Sequence, residues 1–245
     1  MKQNEAVLLT LEQLGGVATL GQLNQEVFKI KQCVWKTKTP FASIRRIVQL
    51  DKNIYKIRPG LYGSVKLRQE IENRGIITET KNNKTSKEVI EFTHAYYQGL
   101  LLTIGNLKGL DTFSPNQDKN KKFIDKNLGE IRTLNTLPDY SFPSVVKRSS
   151  TIDVIWLNKR NMPHSFFEIE HSTDIQNSLL KFHDLQDFYT RMIIVADECR
   201  HSEYKQKINY GSLTEIQARV KFLSYASLIN QYEAEIVKST QFFVL

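Results

Sequence analysis

The chain has 245 residues, of which 40% are hydrophobic and 24% charged, as is typical of a soluble globular protein with a buried core. No apolar run reaches the roughly 20 residues needed to cross a bilayer, and the first residues lack the pattern of a signal peptide. The two cysteines, which lie in no metal-ligand spacing, argue against a disulfide framework and a cysteine-based zinc site, so we expect a cytoplasmic protein without a membrane partner. The net charge of +8 attracts polyanions and makes nucleic acid the first candidate partner.

The first part of the chain, residues 1–77, has the pattern of three helices followed by a hairpin. Apolar residues recur at helical spacing, and the helices begin or end at capping residues and glycines. In chain order, the sequence predicts a helix over 4–14, a helix from Thr19 to Phe28, a helix that begins at Thr39-Pro40, and strands at 54–57 and from 61 onward, joined by a turn at 58–60. This order is typical of a winged helix-turn-helix domain.

A polar linker is predicted at residues 78–87, which contain no large apolar residue. The remaining part, residues 88–245, alternates between helical and strand patterns, which favours an α/β domain with a mixed sheet. In chain order, we expect a helix capped by Thr85 and Glu88, a strand at 110–114, a short helix near 124–135, strands at 152–157 and 165–171, a helix from Thr173 to Tyr189, a strand at 192–196, a helix capped by Ser212 and Glu215, a strand at 220–223, and a helix near 225–233.

Three acidic residues lie in two of these strands. Asp153 belongs to the first, and Glu168 and Glu170 share one face of the second because side chains alternate along a strand. If the two strands pair as a hairpin, Asp153 meets Glu168 at one end of the sheet. The acids could form a solvated face, but the apolar residues around them are typical of central strands, where a charge needs a partner. Magnesium is the natural partner, because it binds carboxylate oxygens and activates water.

At these residues the sequence resembles the PD-(D/E)XK nuclease superfamily, which includes most restriction endonucleases. Asp153 matches the first acid of the pattern and Glu168 the second, whereas Glu170 stands where a lysine is usual. A glutamate is a known variant at this position. The resemblance implies that Mg²⁺, or Mn²⁺ as a substitute, is bound by the three acids, with Glu170 positioning water or binding a second metal. The identity of the general base stays open. The resemblance also implies accessory roles for Glu130 or Glu91, on a preceding helix, and for His171, after the second strand.

The first 65 or so residues resemble the HARE-HTH family of winged-helix modules, through the opening helix, the segment that begins at Thr39 and the end of the hairpin, Arg58 to Gly63. A basic loop precedes the third helix. Basic residues of this domain, and two before the Asp153 strand, are the candidate contacts to bases or phosphates. These candidates are Arg45, Arg46, Lys36, Lys38, Lys56, Arg58, Lys147 and Arg148.

Together these patterns predict a type II-like restriction endonuclease that hydrolyses double-stranded DNA at a specific site. A homodimer is expected when both strands of a two-fold site are cut, and the resemblance implies a cognate DNA methyltransferase in the cell. Two alternatives stay open. One is a catalytically inactive DNA-binding regulator on a nuclease scaffold, favoured by the missing lysine. The other is a nuclease that acts on RNA or on structured or modified DNA.

Overall fold

The computed structural model of the protein describes residues 1–80 and 82–241, with the side chains of the last two left out. The chain divides into two compact units: unit 1 comprises Met1–Phe92 and the chain from Tyr232 onward, and unit 2 comprises Thr93–Gln231. The sequence instead places the segment after 231 with the second domain. Residue 81 of the predicted linker and residues 242–245 of the predicted second domain lie outside the described residues.

Unit 1 contains a small antiparallel sheet in the order β1-β3-β2 together with helices. The elements that begin in it are α1 (Gln3–Gln13), β1 (Val17–Thr19), α2 (Leu20–Glu26), α3 (Pro40–Leu50), β2 (Ile54–Arg58), β3 (Leu61–Ser64), α4 (Arg68–Asn73) and α5 (Lys87–Leu107). Apolar faces of α1, α2 and α3 bury one core, which contains Leu11, Leu23 and Ile44. The three predicted helices and the hairpin are therefore present.

Capping explains where the helices of unit 1 begin. Thr19 caps α2 as predicted, because its hydroxyl accepts a hydrogen bond from the amide of Gln22 at 3.1 Å. Pro40 occupies the first turn of α3 as predicted, but within the described residues the Thr39 side chain makes no capping bond. The predicted Thr85 cap of α5 is wrong: the hydroxyl of Ser86 accepts from the amide of Val89 at 3.3 Å.

Unit 2 is built on a mixed five-stranded sheet in the order β10-β9-β8-β7-β4 within the described residues. The elements that begin in it are β4 (Asp111–Phe113), β5 (Lys122–Phe123), β6 (Lys126–Asn127), α6 (Leu128–Ile131), α7 (Pro143–Ser149), β7 (Val154–Leu157), β8 (Pro163–Glu170), α8 (Ile175–His183), β9 (Arg191–Ala196), α9 (His201–Ile208), α10 (Thr214–Gln217), β10 (Val220–Ser224) and α11 (Tyr225–Gln241), whose second half belongs to unit 1. The α/β class with a mixed sheet is confirmed. Within the described residues, every helix is too short or too polar to cross a lipid bilayer.

The centre of the sheet is the predicted hairpin of β7 and β8. These strands pair antiparallel, with Val154 opposite Phe167, whereas β8, β9 and β10 run parallel to one another. β7 and β9 are short and apolar because both faces of the sheet are covered. One face packs against α8 and α9 in a core that contains Phe166, Leu179, Ile194 and Tyr204.

Several predicted boundaries in unit 2 are wrong. The helix expected near 124–135 is only the single turn α6, preceded by the β5–β6 hairpin. α8 is capped by Asp174 rather than Thr173 and ends at His183 rather than Tyr189. No side-chain cap is found at the start of α10 within the described residues, so the box predicted from Ser212 is absent. Helix α7 was not predicted, since its seven residues are too few to show a clear period.

The close packing of α5 on the central strands gives a stability prediction. A Cβ atom added at Gly105 would lie 2.5 Å from Cγ2 of Thr112 and 2.7 Å from Nε1 of Trp156, whose indole donates to the carbonyl of Leu101 at 3.0 Å. We therefore expect Gly105→Ala to lower the free energy of unfolding by about 1–3 kcal/mol, measured by chemical denaturation.

Gly211→Ala is the matched control, because an added Cβ there meets nothing within 4 Å. We expect its effect to stay within about 0.5 kcal/mol of the parent. Equal stability of the two variants would contradict the close packing of α5 at Gly105.

Candidate active site

The β7–β8 hairpin brings Asp153 and Glu168 together. Asp153 lies directly before β7, one residue outside the strand in which the sequence placed it. Because Val154 pairs with Phe167, Asp153 lies opposite Glu168 at the end of the sheet. One carboxylate oxygen of Asp153, Oδ2, accepts a hydrogen bond from the amide of Ile169 at 2.8 Å. The predicted meeting of these two acids is therefore present in the structure.

Glu168 is a buried carboxylate whose side chain is only 2% exposed. Nζ of Lys181 donates to both of its oxygens, at 3.0 and 2.8 Å, and the Ser178 hydroxyl donates to Oε2 at 2.8 Å. Burial, followed by the negative charge of Asp153, raises the pKa of Glu168 to about 8, although Lys181 and Ser178 oppose the shift. Without a further cation, Glu168 is therefore a weaker acid than an exposed glutamate.

Glu170 occupies the position of the usual lysine and is also buried. One of its oxygens lies within hydrogen-bonding distance of the Ser178 hydroxyl, whose single proton Glu170 shares with Glu168, and the other accepts a hydrogen bond from Thr173. Nη1 of Arg200 lies 3.9 Å from Oε2 of Glu170. Ser178 thus contacts both glutamates, as their predicted common face requires. The two hydroxyls hold the Glu170 carboxylate in a fixed orientation beside Glu168.

Lys181 is the charged residue of this site that sequence reasoning missed. It lies on α8, three residues after Ser178, so both side chains project from one face of the helix. Its ammonium group also donates to the carbonyl of Thr151 at 3.1 Å. Burial lowers the pKa of Lys181, but the charge of Glu168 raises it more, and the net shift is upward. Lys181 therefore remains cationic beside the acids.

A second group of polar residues adjoins the other oxygen of Asp153. Nε2 of His94, on α5, lies 3.4 Å from Oδ1 of Asp153. Burial lowers the pKa of His94, but Asp153 raises it more, so the net shift is upward. Burial acts to raise the pKa of Asp153, yet His94 and the hydrogen bonds outweigh it and the net shift is downward. The sequence analysis did not select His94, since a lone histidine on a helix carries no motif.

The three predicted accessory residues make contacts of their own. Glu91 lies on α5 in unit 1, 3.8 Å from the ammonium group of Lys87. Glu130 accepts from the amide of Asn127 at 2.7 Å and so caps the one-turn helix α6. The His171 ring stacks against Tyr225, with ring centroids 6.4 Å apart.

The basic side chains predicted to contact DNA differ in their exposure and in their ion pairs. Nη2 of Arg45 pairs with Glu233 at 2.5 Å, and Nη2 of Arg148 pairs with Asp184 at 2.6 Å. Arg58 is buried and its guanidinium lies 4.5 Å from the ring centroid of Phe92, a position that argues against the expected phosphate contact. The exposed candidates are Arg45, Arg46, Lys36, Lys38, Lys56 and Lys147, of which Arg45 is paired with Glu233.

The raised pKa of Glu168 predicts how stability depends on pH in the presence of a chelator. Its pKa rises from an ordinary value of 4.5 to about 8 on folding, so the folded chain binds this proton more tightly than the unfolded chain. The resulting stabilisation is complete below about pH 4.5 and is lost as the pH rises toward about 8. The upward shift of His94 acts in the same direction above its ordinary value of 6.5. We therefore expect the free energy of unfolding to fall by a few kcal/mol between these limits.

Glu168→Gln tests this assignment, because the amide stays neutral at every pH. We expect a much shallower fall in the variant, with the part that is due to His94 remaining. Glu215→Gln is the control, since that side chain is 63% exposed. An unchanged slope in Glu168→Gln would show that Glu168 is ionised throughout.

Comparison with known proteins places the chain in a family. The model described as "Type II restriction enzyme NmeDI C-terminal domain" matches residues 76–243, which is more than half of the chain. The Type II restriction enzyme NmeDI of Neisseria meningitidis serogroup C is 27% identical over 124 residues, which are 46% of this chain and 35% of that protein. The chain thus spans about a third of that relative's length. No solved structure matches. On the strength of the family model, the chain belongs to the family of the Type II restriction enzyme NmeDI C-terminal domain.

Proposed function

We propose that this protein is a divalent-cation-dependent endonuclease that hydrolyses phosphodiester bonds of double-stranded DNA at a specific site, as a type II-like restriction enzyme. The observation that carries the proposal is the pairing of Asp153 with Glu168 at the end of the β7–β8 hairpin, inside the region that matches the restriction-enzyme family. The same geometry and the resemblance support a PD-(D/E)XK core for unit 2. The helices and hairpin of unit 1 support a winged helix-turn-helix module.

The residues present fit a magnesium ion, with Mn²⁺ as a substitute. Buried carboxylates that face each other are unfavourable, and the pKa of Glu168 is raised by its burial and by the charge of Asp153. Asp153 and Glu168 would hold the ion. When bound, Mg²⁺ would lower the pKa of water and stabilise negative charge on a phosphodiester.

Lys181 supplies the positive charge that the family pattern normally places two residues after the second acid. Its ammonium group donates to both oxygens of Glu168 and therefore lies directly beside the proposed metal ligand. In this position it fixes the Glu168 carboxylate and can donate a hydrogen bond to an attacking water or a phosphate oxygen. Glu170, held by Ser178 and Thr173, orients this arrangement rather than acting as the general base.

DNA binding is assigned to the exposed basic residues of both units. Arg46, on α3, would approach bases or phosphates, and Lys36, Lys38 and Lys56 would contact phosphates from the loop and the hairpin. Lys147, at the end of α7, would contact the backbone near the acids. A homodimer would supply two active centres for a two-fold site, and a cognate methyltransferase would protect the host DNA.

The first prediction of this proposal concerns the acids. Asp153→Asn and Glu168→Ala should each reduce Mg²⁺-dependent cleavage of plasmid DNA by about a thousandfold, since a catalytic metal contributes several kcal/mol. Asp187→Asn is the control, because Asp187 is an exposed acid in the same unit. Cleavage by Glu168→Ala at the parent rate would remove Glu168 from the mechanism. DNA binding without cleavage by the parent chain would favour the regulator, and cleavage of RNA alone would favour the RNA nuclease.

The second prediction concerns Lys181. Lys181→Met should lower the cleavage rate about a hundredfold, in the range that a single acid–base or electrostatic group contributes, while DNA affinity in Ca²⁺ stays unchanged. Lys205→Met, an exposed lysine on α9, is the matched control. A loss of DNA affinity equal to the loss of rate would assign Lys181 to substrate binding instead.

A further inference from the structure

A cluster of potential metal ligands lies on the far side of Asp153 from Glu168. It consists of His94 on α5, Asp118 in the loop after β4, and Asp153 before β7, and we call it the His94 cluster. One ligand atom from each of the three residues lies within 4.8 Å of the other two. All three residues belong to unit 2. Three segments that are distant in sequence thus present one nitrogen and two carboxylates to a single point.

The separation of these atoms suits a first-row divalent ion after a small inward movement. Zinc binds histidine nitrogen and carboxylate oxygen at about 2.0–2.2 Å, so the ligands of one ion lie roughly 3–4 Å apart. Asp118 is buried, with 3% of its surface exposed, and His94 and Asp153 are partly buried. Only a small inward movement therefore brings the three ligand atoms to the spacing that one ion requires.

Gln98 supplies an independent observation that points to a ligand. Its side chain is fully buried and lies one helical turn after His94 on the same face of α5. Nε2 of Gln98 donates to Oδ2 of Asp118 at 2.9 Å and to the carbonyl of Asp153 at 3.1 Å, so the amide lies inside the cluster. The other amide atom, Oε1, is buried and has no hydrogen-bond partner among the described residues. A buried carbonyl oxygen without a partner is costly, and a cation would satisfy it.

The charged neighbours of the cluster are compatible with the binding of a cation. Lys121 lies 2.6 Å from Oδ1 of Asp118 and neutralises it, but its side chain is 35% exposed and can turn toward solvent. Asp153 has its other oxygen bound to the amide of Ile169, which keeps Oδ1 directed to His94. A divalent ion would therefore replace a partly exposed lysine and would leave the hydrogen bond between Asp153 and the amide of Ile169 intact.

We propose that the His94 cluster binds a divalent transition-metal ion of the manganese or zinc class, with His94, Asp118 and Asp153 as ligands. Imidazole together with carboxylates favours these ions over magnesium, which prefers oxygen ligands alone. The site deepens the proposed function because Asp153 belongs to both sites, so a second cation would lie next to the one held with Glu168. Binding at the cluster itself does not require that the protein cleaves DNA.

The test is binding of Mn²⁺ to the full chain, followed by pulsed electron paramagnetic resonance. We expect Mn²⁺ to show a coupling to imidazole nitrogen in the parent. The coupling should be lost in His94→Gln and retained in Glu168→Gln, which removes only the charge of the neighbouring site. Asp118→Asn, which is isosteric, should weaken the affinity of the nitrogen-coordinated ion at least tenfold. His201→Gln is the control, because His201 is a half-exposed histidine of unit 2 outside the cluster.

The outcomes separate this proposal from the nuclease assignment. A nitrogen coupling that depends on His94 supports the cluster even if the parent chain cleaves no DNA. A bound Mn²⁺ without nitrogen coupling, a coupling that persists in His94→Gln, or the absence of Mn²⁺ binding would each overturn it, whatever the cleavage assay shows. If His94→Gln fails to fold, as judged by circular dichroism, an unchanged affinity in Asp118→Asn would overturn the proposal by itself.

Discussion

The structure of unit 2 depends on burying two acids side by side at the end of a central hairpin. Asp153 and Glu168 are placed together by strand register, and neither can move away without disturbing the sheet. The chain compensates with cationic groups from two helices: Lys181 of α8 contacts Glu168, and His94 of α5 contacts Asp153. A negative site surrounded by rigid elements and adjacent cations is a costly arrangement that a divalent ion would relieve.

The two sides of Asp153 differ in chemistry. On the side of Glu168, carboxylates and the ammonium group of Lys181 lie together. Carboxylates suit a hard cation, and an ammonium group suits a phosphate. Toward α5, an imidazole and a second carboxylate adjoin the same aspartate, together with the buried amide of Gln98. Asp153 is therefore the residue that the two groups share, and the hydrogen bond that its Oδ2 accepts from the amide of Ile169 fixes its orientation for both.

Basic residues in this chain serve two purposes that composition cannot separate. Arg58 is buried on Phe92, and Arg148 and Arg45 are paired with acids, so part of the positive charge stabilises the fold. Arg46, Lys36, Lys38 and Lys56 remain exposed on unit 1, where they are available to a polyanion. Part of the 34 lysines and arginines therefore stabilises the fold and is not available for DNA.

The sequence alone indicated the α/β class of the second part and the two strands that carry the acids, because alternation along strands is a local property. The meeting of Asp153 with Glu168 was conditional on the pairing of these strands, which the structure supplies. It also located α2 through its Thr19 cap, whereas the ends of α6 and α8 depended on packing that no local pattern records. Only the tertiary structure decided that Lys181, His94 and Asp118 adjoin the acids. These residues come from a following helix, a preceding helix and a loop, and their convergence depends on how the layers pack rather than on spacing along the chain.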